Sequence, residues 1–176
     1  MAHNNIEIKA KHDNIKHVRY LLKQNKAKFI GKDHQIDTYF KVPSGRLKIR
    51  EGNIEHSLIY YEREDIKGPK HSKVTLVDLE PKSNLKDLFM KIFRPLVVVD
   101  KKREIYFIDN VKFHIDSVNE LGEFIEIEAI DKEGKIGLET LTNQCKQYID
   151  LFEIKNKNLI DKSYSDLLLE NNSYKK

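Results

Sequence analysis

The stretch GRLKIRE, residues 45–51, alternates without a break: Arg46, Lys48 and Arg50 fall on one face, Leu47 and Ile49 on the other. A period of two marks a β-strand whose two faces meet unlike surroundings. The apolar face suits a core. Three neighbouring cations suit water, as most charged strand faces do, unless other strands repeat the pattern.

They do repeat it. NIEIKAK (5–11) sets Glu7, Lys9 and Lys11 against Ile6, Ile8 and Ala10. In LIYYER (58–63), Tyr61 and Arg63 share a face. In DKKREIYF (100–107), Lys101 and Arg103 lie opposite Lys102 and Glu104. VKFHID (111–116) aligns Lys112, His114 and Asp116, and EFIEIE (123–128) aligns Glu126 and Glu128 against Ile125 and Ile127. About eight or nine strands are legible in all, joined mostly by short turns such as PSG at 43–45 and Asp109-Asn110, which predicts antiparallel pairing. Helices are expected from an Asp13 cap to about Asn25, over LKDLFMKIF after Ser83 or Asn84, around 135–151 and around 158–169. The class is α+β with a curled sheet. If the sheet closes, the amphipathic helices cover an apolar exterior and the ionic faces point inward.

Composition bounds the rest. The 176 residues suit one domain, and a formal charge of +4 from 32 basic and 28 acidic residues calls for no nucleic-acid partner. Without a long apolar run no transmembrane helix is expected, and without an apolar signal core the expected location is cytoplasmic. The single Cys145 excludes an intrachain disulfide, and its setting, LTNQCKQYIDLF, reads as a helix with a buried, inert thiol. KSNLK is no phosphate-binding glycine loop.

An interior rich in charge is costly unless the charges are paired, hydrated or neutralised by a ligand. Arg and Lys match phosphate oxygens, and that many inward cations suit a triphosphate better than a lone carboxylate. The carboxylates of Glu7, Asp116, Glu126 and Glu128 would repel such a ligand if bare. Hard divalent cations between them reverse the sign, since Mg²⁺ bridges carboxylate and phosphate oxygens.

These residues resemble the CYTH domain of the triphosphate tunnel metalloenzymes, which include class IV adenylyl cyclases and thiamine triphosphatases. NIEIK is similar to the family's opening Glu-x-Glu-x-Lys: Glu7 and Lys9 match, and Asn5 stands at the first Glu. HQIDTYF followed by GRLKIRE, then LIYYERED, DKKREIYF, FHIDSVNELGEFIEIEA and SYSDLL resemble the cyclase branch in the same order. The resemblance implies one CYTH-type domain over 1–170, an eight-stranded antiparallel β-tunnel with helices packed outside, and a frayed polar tail over 171–176. It implies Lys9, Arg46, Lys48, Arg50, Arg63, Lys101 and Arg103 as phosphate ligands. It implies Glu7, Asp116, Glu126 and Glu128 as ligands of Mg²⁺ or Mn²⁺, with Glu7, Asp116 and Glu126 catalytic. The implied reaction converts ATP to cyclic AMP and pyrophosphate. Hydrolysis of tripolyphosphate, thiamine triphosphate or a nucleotide is the alternative, and a non-catalytic phosphometabolite-binding module a third. A homodimer and the absence of nucleic-acid or membrane partners complete the expectation.

Other residues are read more plainly. His114 is expected to hydrogen-bond within the tunnel rather than ligate metal, because no second His lies at useful spacing. Tyr39, Tyr60 and Tyr61 read as packing residues. IKGPKHSK reads as a loop, with Lys67, Lys70 and Lys73 either on a lid or simply solvated. Lys162 and Tyr164 read as helix-end packing.

Overall fold

The computed structural model describes residues 2–174. Eight strands form the ring: β1 (Ala2–Ala10), β2 (Lys28–Phe40), β3 (Arg46–Glu51), β4 (Ser57–Arg63), β5 (Lys70–Asp78), β6 (Pro95–Ile108), β7 (Val111–Val118) and β8 (Gly122–Asp131). They pair antiparallel in the order β5-β4-β3-β2-β6-β7-β8-β1. β1 also pairs with β5, Asn5 opposite Ser72 and Glu7 opposite Lys70, and this closes the barrel. A two-residue strand, β9 (Leu159–Ile160), straps the end of β1 at Lys9 and Ala10. Four helices lie outside the ring: α1 (Ile15–Gln24), α2 (Leu85–Ile92), α3 (Leu138–Leu151) and α4 (Tyr164–Tyr174). The expected α+β closed eight-stranded antiparallel barrel with external helices is what the chain forms.

The hydrophobic core is outside the barrel. Ile6, Ile8 and Ala10 of β1, Phe113 and Ile115 of β7, and Ile125 and Ile127 of β8 turn outward and are buried under α1 and α3. Ile15, Val18 and Leu22 cover them from α1, Leu141, Cys145 and Tyr148 from α3. Each Ile, Leu, Val or Phe among them contributes about 1.5–3 kcal/mol when fully buried, so the helices supply stabilisation that a charged interior cannot. A second cluster lies toward α4 and includes Tyr61, Val118, Phe124, Tyr164 and Leu168. Phe89 and Phe93, in and after α2, pack on Phe40 with ring centroids 5.6 and 6.2 Å away.

Several boundaries differ from the expectation. The cap of α1 is Asn14, whose Oδ1 accepts from the His17 amide at 3.0 Å; Asp13 lies one residue too early to reach it. β5 begins at Lys70, directly after the Gly68-Pro69 turn, because β1 and β4 both offer it a ladder. Lys70 and Lys73 therefore belong to the sheet, not to a loop. The last helix starts at Tyr164, after a 3₁₀ turn at Asn156–Asn158 and β9, and runs to Tyr174. Four residues of the segment read as a frayed tail are thus helical, and residues 175–176 lie outside those described. No helix among the described residues is long and apolar enough to cross a membrane.

Candidate functional site

Closure turns the ionic faces inward around a cavity of about 760 Å³. An eight-stranded barrel is just wide enough to hold one small ligand. Eight Lys or Arg and six Asp or Glu side chains line this one, leaving an excess of two positive charges. One end is stopped by α4. There Tyr164 is buried, its hydroxyl donating to Asp116 Oδ2 at 2.8 Å, with Lys9 Nζ 3.6 Å from its ring centre. Away from that stop the wall from β4 and β5 turns apolar, through Ile59, Val74 and Leu76, and continues into Leu79 and Pro81.

Cross-strand register decides which charges meet. Asp37 of β2 lies opposite Arg50 of β3. It accepts from Arg50 at 2.9 and 3.0 Å, from Lys48 at 2.9 Å and from Lys101 of β6 at 2.6 Å. Burial alone would raise the Asp37 pKa, but Arg50, Lys101 and Lys48 together hold it well below the usual carboxylate range. Burial lowers the Lys101 amine to about 7, with Arg50, Arg103 and Lys48 acting in the same direction against Asp37. Lys48 also donates to the Tyr39 hydroxyl at 3.2 Å and lies 5.8 Å from the Tyr61 ring centre.

The Arg50 guanidinium reaches on to Glu55 at 2.9 Å, and Lys112 pairs with the same carboxylate. Glu55 sits on the β3–β4 loop, held by Asp33 of β2, which accepts from the amides of Asn53, Ile54 and Glu55 at 2.5, 2.9 and 3.0 Å. This grip requires Gly52: a Cβ there would lie 2.6 Å from Asp33 Oδ2 and from the Glu55 carbonyl oxygen.

Near the α4 stop, Arg103 donates to both oxygens of Asp116 at 2.7 and 2.5 Å and to Glu126 at 2.6 Å. Lys9 pairs with Glu126 at 2.9 Å. Burial opposes ionisation of Glu126, yet Lys9 and Arg103 keep it well below its ordinary pKa. Arg63 donates to Glu7 at 2.5 Å. Lys70 donates to the Ile160 carbonyl at 2.7 Å, and burial, then Arg63, lowers its amine to about 8.

Among the described residues, one group of His, Cys, Asp or Glu has ligand atoms close enough to share a metal ion: His114, Glu126 and Glu128, all within 4.8 Å of one another. His114 of β7 lies opposite Glu126 of β8, its Nδ1 at 3.3 Å from Glu126 Oε2 and 3.6 Å from Glu128 Oε1. Burial, then Arg103, lowers its pKa, so the imidazole is neutral at pH 7 and has a lone pair to offer. Asn5 is buried in the same cavity, and its Oδ1 has no hydrogen-bond partner. Two carboxylates and a neutral imidazole are a donor set that a divalent cation fits, and Asn5 offers an unclaimed amide oxygen elsewhere in the same cavity.

The structure brings Lys9, Lys48, Arg50, Arg63, Lys101 and Arg103 into one cavity with Glu7, Glu126 and Glu128. It sets two expected site residues apart. Arg46 does not line the cavity; its guanidinium bridges Asp65 and Asp166 at 2.7 and 2.8 Å, tying β3 to α4. Asp116 is fully buried behind Arg103, its oxygens paired with Arg103 and Tyr164; it orients that guanidinium and lies outside the group of converging ligand atoms. Glu7 pairs with Arg63, although the β1–β8 register sets it opposite Glu128. Tyr39 and Tyr61 line the cavity, whereas the Tyr60 hydroxyl donates to Glu62 outside it. Tyr164 stops the barrel and Lys162 pairs with Glu170. Sequence reasoning missed Asp37 and Glu55 and gave Lys112 no partner; His114, expected to hydrogen-bond within the tunnel, does lie there with Nδ1 3.3 Å from Glu126 Oε2. Asp33, Gln35, Asp37 and Tyr39 do alternate along β2, which was the available signal for Asp37.

The family model for the CYTH domain matches residues 3–164, and the chain belongs to the CYTH domain family. It is 30% identical over 180 residues to a Methanocaldococcus jannaschii protein named "Putative adenylate cyclase MJ0240", an alignment covering 92% of this chain and 97% of that one. The PH1012 protein of Pyrococcus horikoshii superposes with a TM-score of 0.79 at 26% identity, covering 93% and 98% of the two chains. HpAC1 from Hippeastrum, described as having a dominant triphosphatase activity, shares the fold with a TM-score of 0.61 at 13% identity, covering 97% and 96%.

Proposed function

We propose that the tunnel is the active site of a divalent-metal-dependent enzyme acting on an organic triphosphate. The observation that carries this is the inward cation set of Lys9, Lys48, Arg50, Arg63, Lys101 and Arg103, facing the group of His114, Glu126 and Glu128 across one cavity. The excess of two positive charges, with one divalent cation added, balances the roughly four negative charges of a triphosphate at neutral pH. The apolar wall of Ile59, Leu76, Leu79 and Pro81 suits an organic group away from the α4 stop, an orientation that would turn the phosphate tail toward Lys9 and Arg103.

Glu126, Glu128 and His114 would hold the metal, with Glu7 and Asn5 nearby in the same cavity. A divalent cation there supplies Lewis acidity toward phosphate oxygens and acidifies an attacking hydroxyl or water. The chain's own residues do the rest. Arg50, Lys48 and Lys101 exchange part of their hold on Asp37 for phosphate oxygens, and Arg63 does the same with Glu7. Asp116 and Tyr164 keep Arg103 fixed, so its planar donors meet the developing charge without rearranging. Burial of these side chains strengthens each of these contacts.

Two reactions use this arrangement. Cyclisation of ATP to cyclic AMP and pyrophosphate has the support of the M. jannaschii relative's name. Hydrolysis of the terminal phosphate has the support of depth. Glu126 lies in register with Lys9, beside the α4 stop, where the tail of a triphosphate inserted tail-first would end. Incubation with ATP, thiamine triphosphate and tripolyphosphate, each with Mg²⁺ or Mn²⁺, tests the proposal by its products. Cyclic AMP with pyrophosphate identifies the cyclase, orthophosphate the hydrolase. Tight binding with no product from any of them defeats the enzymatic reading and leaves a binding module.

A further inference from the structure

If the tunnel holds a divalent cation, as proposed above, its donor atoms are not all oxygen. Three observations bear on the ligand set. His114 is 1% exposed and sits opposite Glu126 across the β7–β8 pair, with Nδ1 turned toward both Glu126 and Glu128. Its second nitrogen, Nε2, is buried with no hydrogen-bond partner. On β1, Asn5 presents an unpartnered buried oxygen where a carboxylate would have added charge.

His114 Nδ1 lies 3.3 and 3.6 Å from the two carboxylate oxygens, within what one ion spans with ligand bonds of about 2.0–2.2 Å, and the whole group lies within 4.8 Å, so little movement completes the site. Mg²⁺ takes hard oxygen donors and gives up its water reluctantly. Imidazole nitrogen suits first-row transition ions, whose affinity rises from Mn²⁺ to Cu²⁺, and Mn²⁺, the hardest of them, also takes the carboxylate oxygens that suit Mg²⁺. We propose that His114 is a metal ligand through nitrogen, and that this mixed imidazole–carboxylate site selects Mn²⁺ or a later first-row divalent ion over Mg²⁺. Asn5, lining the same cavity, adds no charge that would help strip a hard cation of its water.

Mn²⁺ is both ligand and probe. Calorimetry on the full chain should show Mn²⁺ binding at least about tenfold more tightly than Mg²⁺. Electron spin-echo modulation of bound Mn²⁺ should show coupling to one ¹⁴N nucleus, replaced by the ¹⁵N pattern when the protein is grown on ¹⁵N-histidine. His114→Asn should abolish the coupling and weaken Mn²⁺ by about 10–100-fold, with Mg²⁺ affected less. His3 and His56 also line the cavity, so His3→Ala and His56→Ala must keep the coupling.

Bound Mn²⁺ that shows no nitrogen coupling, yet is lost in Glu126→Gln, overturns the role of His114 and leaves the metal site standing. Failure of the parent protein to bind Mn²⁺, with or without tripolyphosphate, overturns both. If His114→Asn does not fold, the isotope exchange in the parent protein decides the matter alone.

Discussion

Replacing Asp37 by Asn removes the one carboxylate that meets three cations. Asp37 is 1% exposed, with Lys101 at 2.6 Å and Lys48 and Arg50 at 2.9 Å. The amide keeps the shape and one acceptor oxygen, but turns a donor toward positive groups. Removing one partner of a buried ion pair costs about 3–5 kcal/mol. Here three cations lose the same partner, so the upper part of that range applies wherever all three are charged. Lys101 provides the release. Its pKa of about 7 already lies far below the ordinary amine value, and loss of Asp37, which raises it, lowers it further. At pH 9 the amine is neutral in both proteins; at pH 6 it is charged and held by Asp37 in the parent, whereas in the variant it stays unpaired or gives up its proton.

For a chain of this size each kcal/mol moves Tm by about 2–4 °C, so Asp37→Asn should melt roughly 10 °C lower at pH 6 and less than that at pH 9. Tripolyphosphate without metal supplies the missing negative charge, and should raise the Tm of the variant more than that of the parent. Differential scanning fluorimetry at both pH values, at fixed ionic strength, reads all four quantities. A variant that melts with the parent at pH 6 would refute the role of Asp37 as the counter-charge. Equal stabilisation of both proteins by the anion would refute the idea that these cations are free to take phosphate.

Lys101 gives a proton-linkage test: at pH 8 its amine is mostly neutral, a bound triphosphate favours the charged form, and binding should take up a proton. Calorimetry in buffers of different ionisation enthalpy measures the uptake, which should vanish at pH 5 and in Lys101→Met. The ligand-free protein should gain stability from this group as pH rises from 7 toward about 10, because over that window the unfolded chain binds the proton and the folded one does not. Arg46→Gln should leave triphosphate affinity intact and cost less than about 1 kcal/mol, since its pairs with Asp65 and Asp166 are partly exposed. Arg50→Gln, by contrast, should weaken triphosphate binding by about tenfold or more, and equal affinities for the two variants in a titration would undo that distinction. Cys145 donates to the Ile6 carbonyl at 3.2 Å and burial pushes its thiol up to about 12, so the native protein should resist iodoacetamide at pH 8 and react only when unfolded. Rapid alkylation of folded protein would place that thiol elsewhere.

Much of this architecture is legible in one dimension. Period-two alternation survives in GRLKIRE, NIEIK and EFIEIE because every barrel strand separates two unlike media, and each residue's side is set by its neighbours along the chain. The helices show their apolar stripes for the same reason. Alternation is silent on closure, however: a flat sheet with its cations in water reads identically. The decision rests with β1, which pairs with β5 and β8 at once. That joins segments far apart in sequence, and it turns Lys9, Arg50 and Lys101 from solvated charges into buried ones.

Partnership is equally invisible along the chain. Asp37 stands in HQIDTYF with no cation beside it, and meets Arg50 only through the β2–β3 register. Asp116 lies opposite Phe124 while His114 lies opposite Glu126, so a single step of two residues on β7 sends the carboxylate behind Arg103 and the imidazole into the metal group. Lys70 follows a Gly-Pro turn that reads as a loop, until β1 offers it a ladder. The sequence by itself determined the strands, their two faces and the kind of charge each carries, because those follow from contacts between near neighbours. Only the tertiary structure decided which charges neutralise one another and which donor atoms converge. Those depend on register across the closed ring, where a shift of one residue exchanges the two faces.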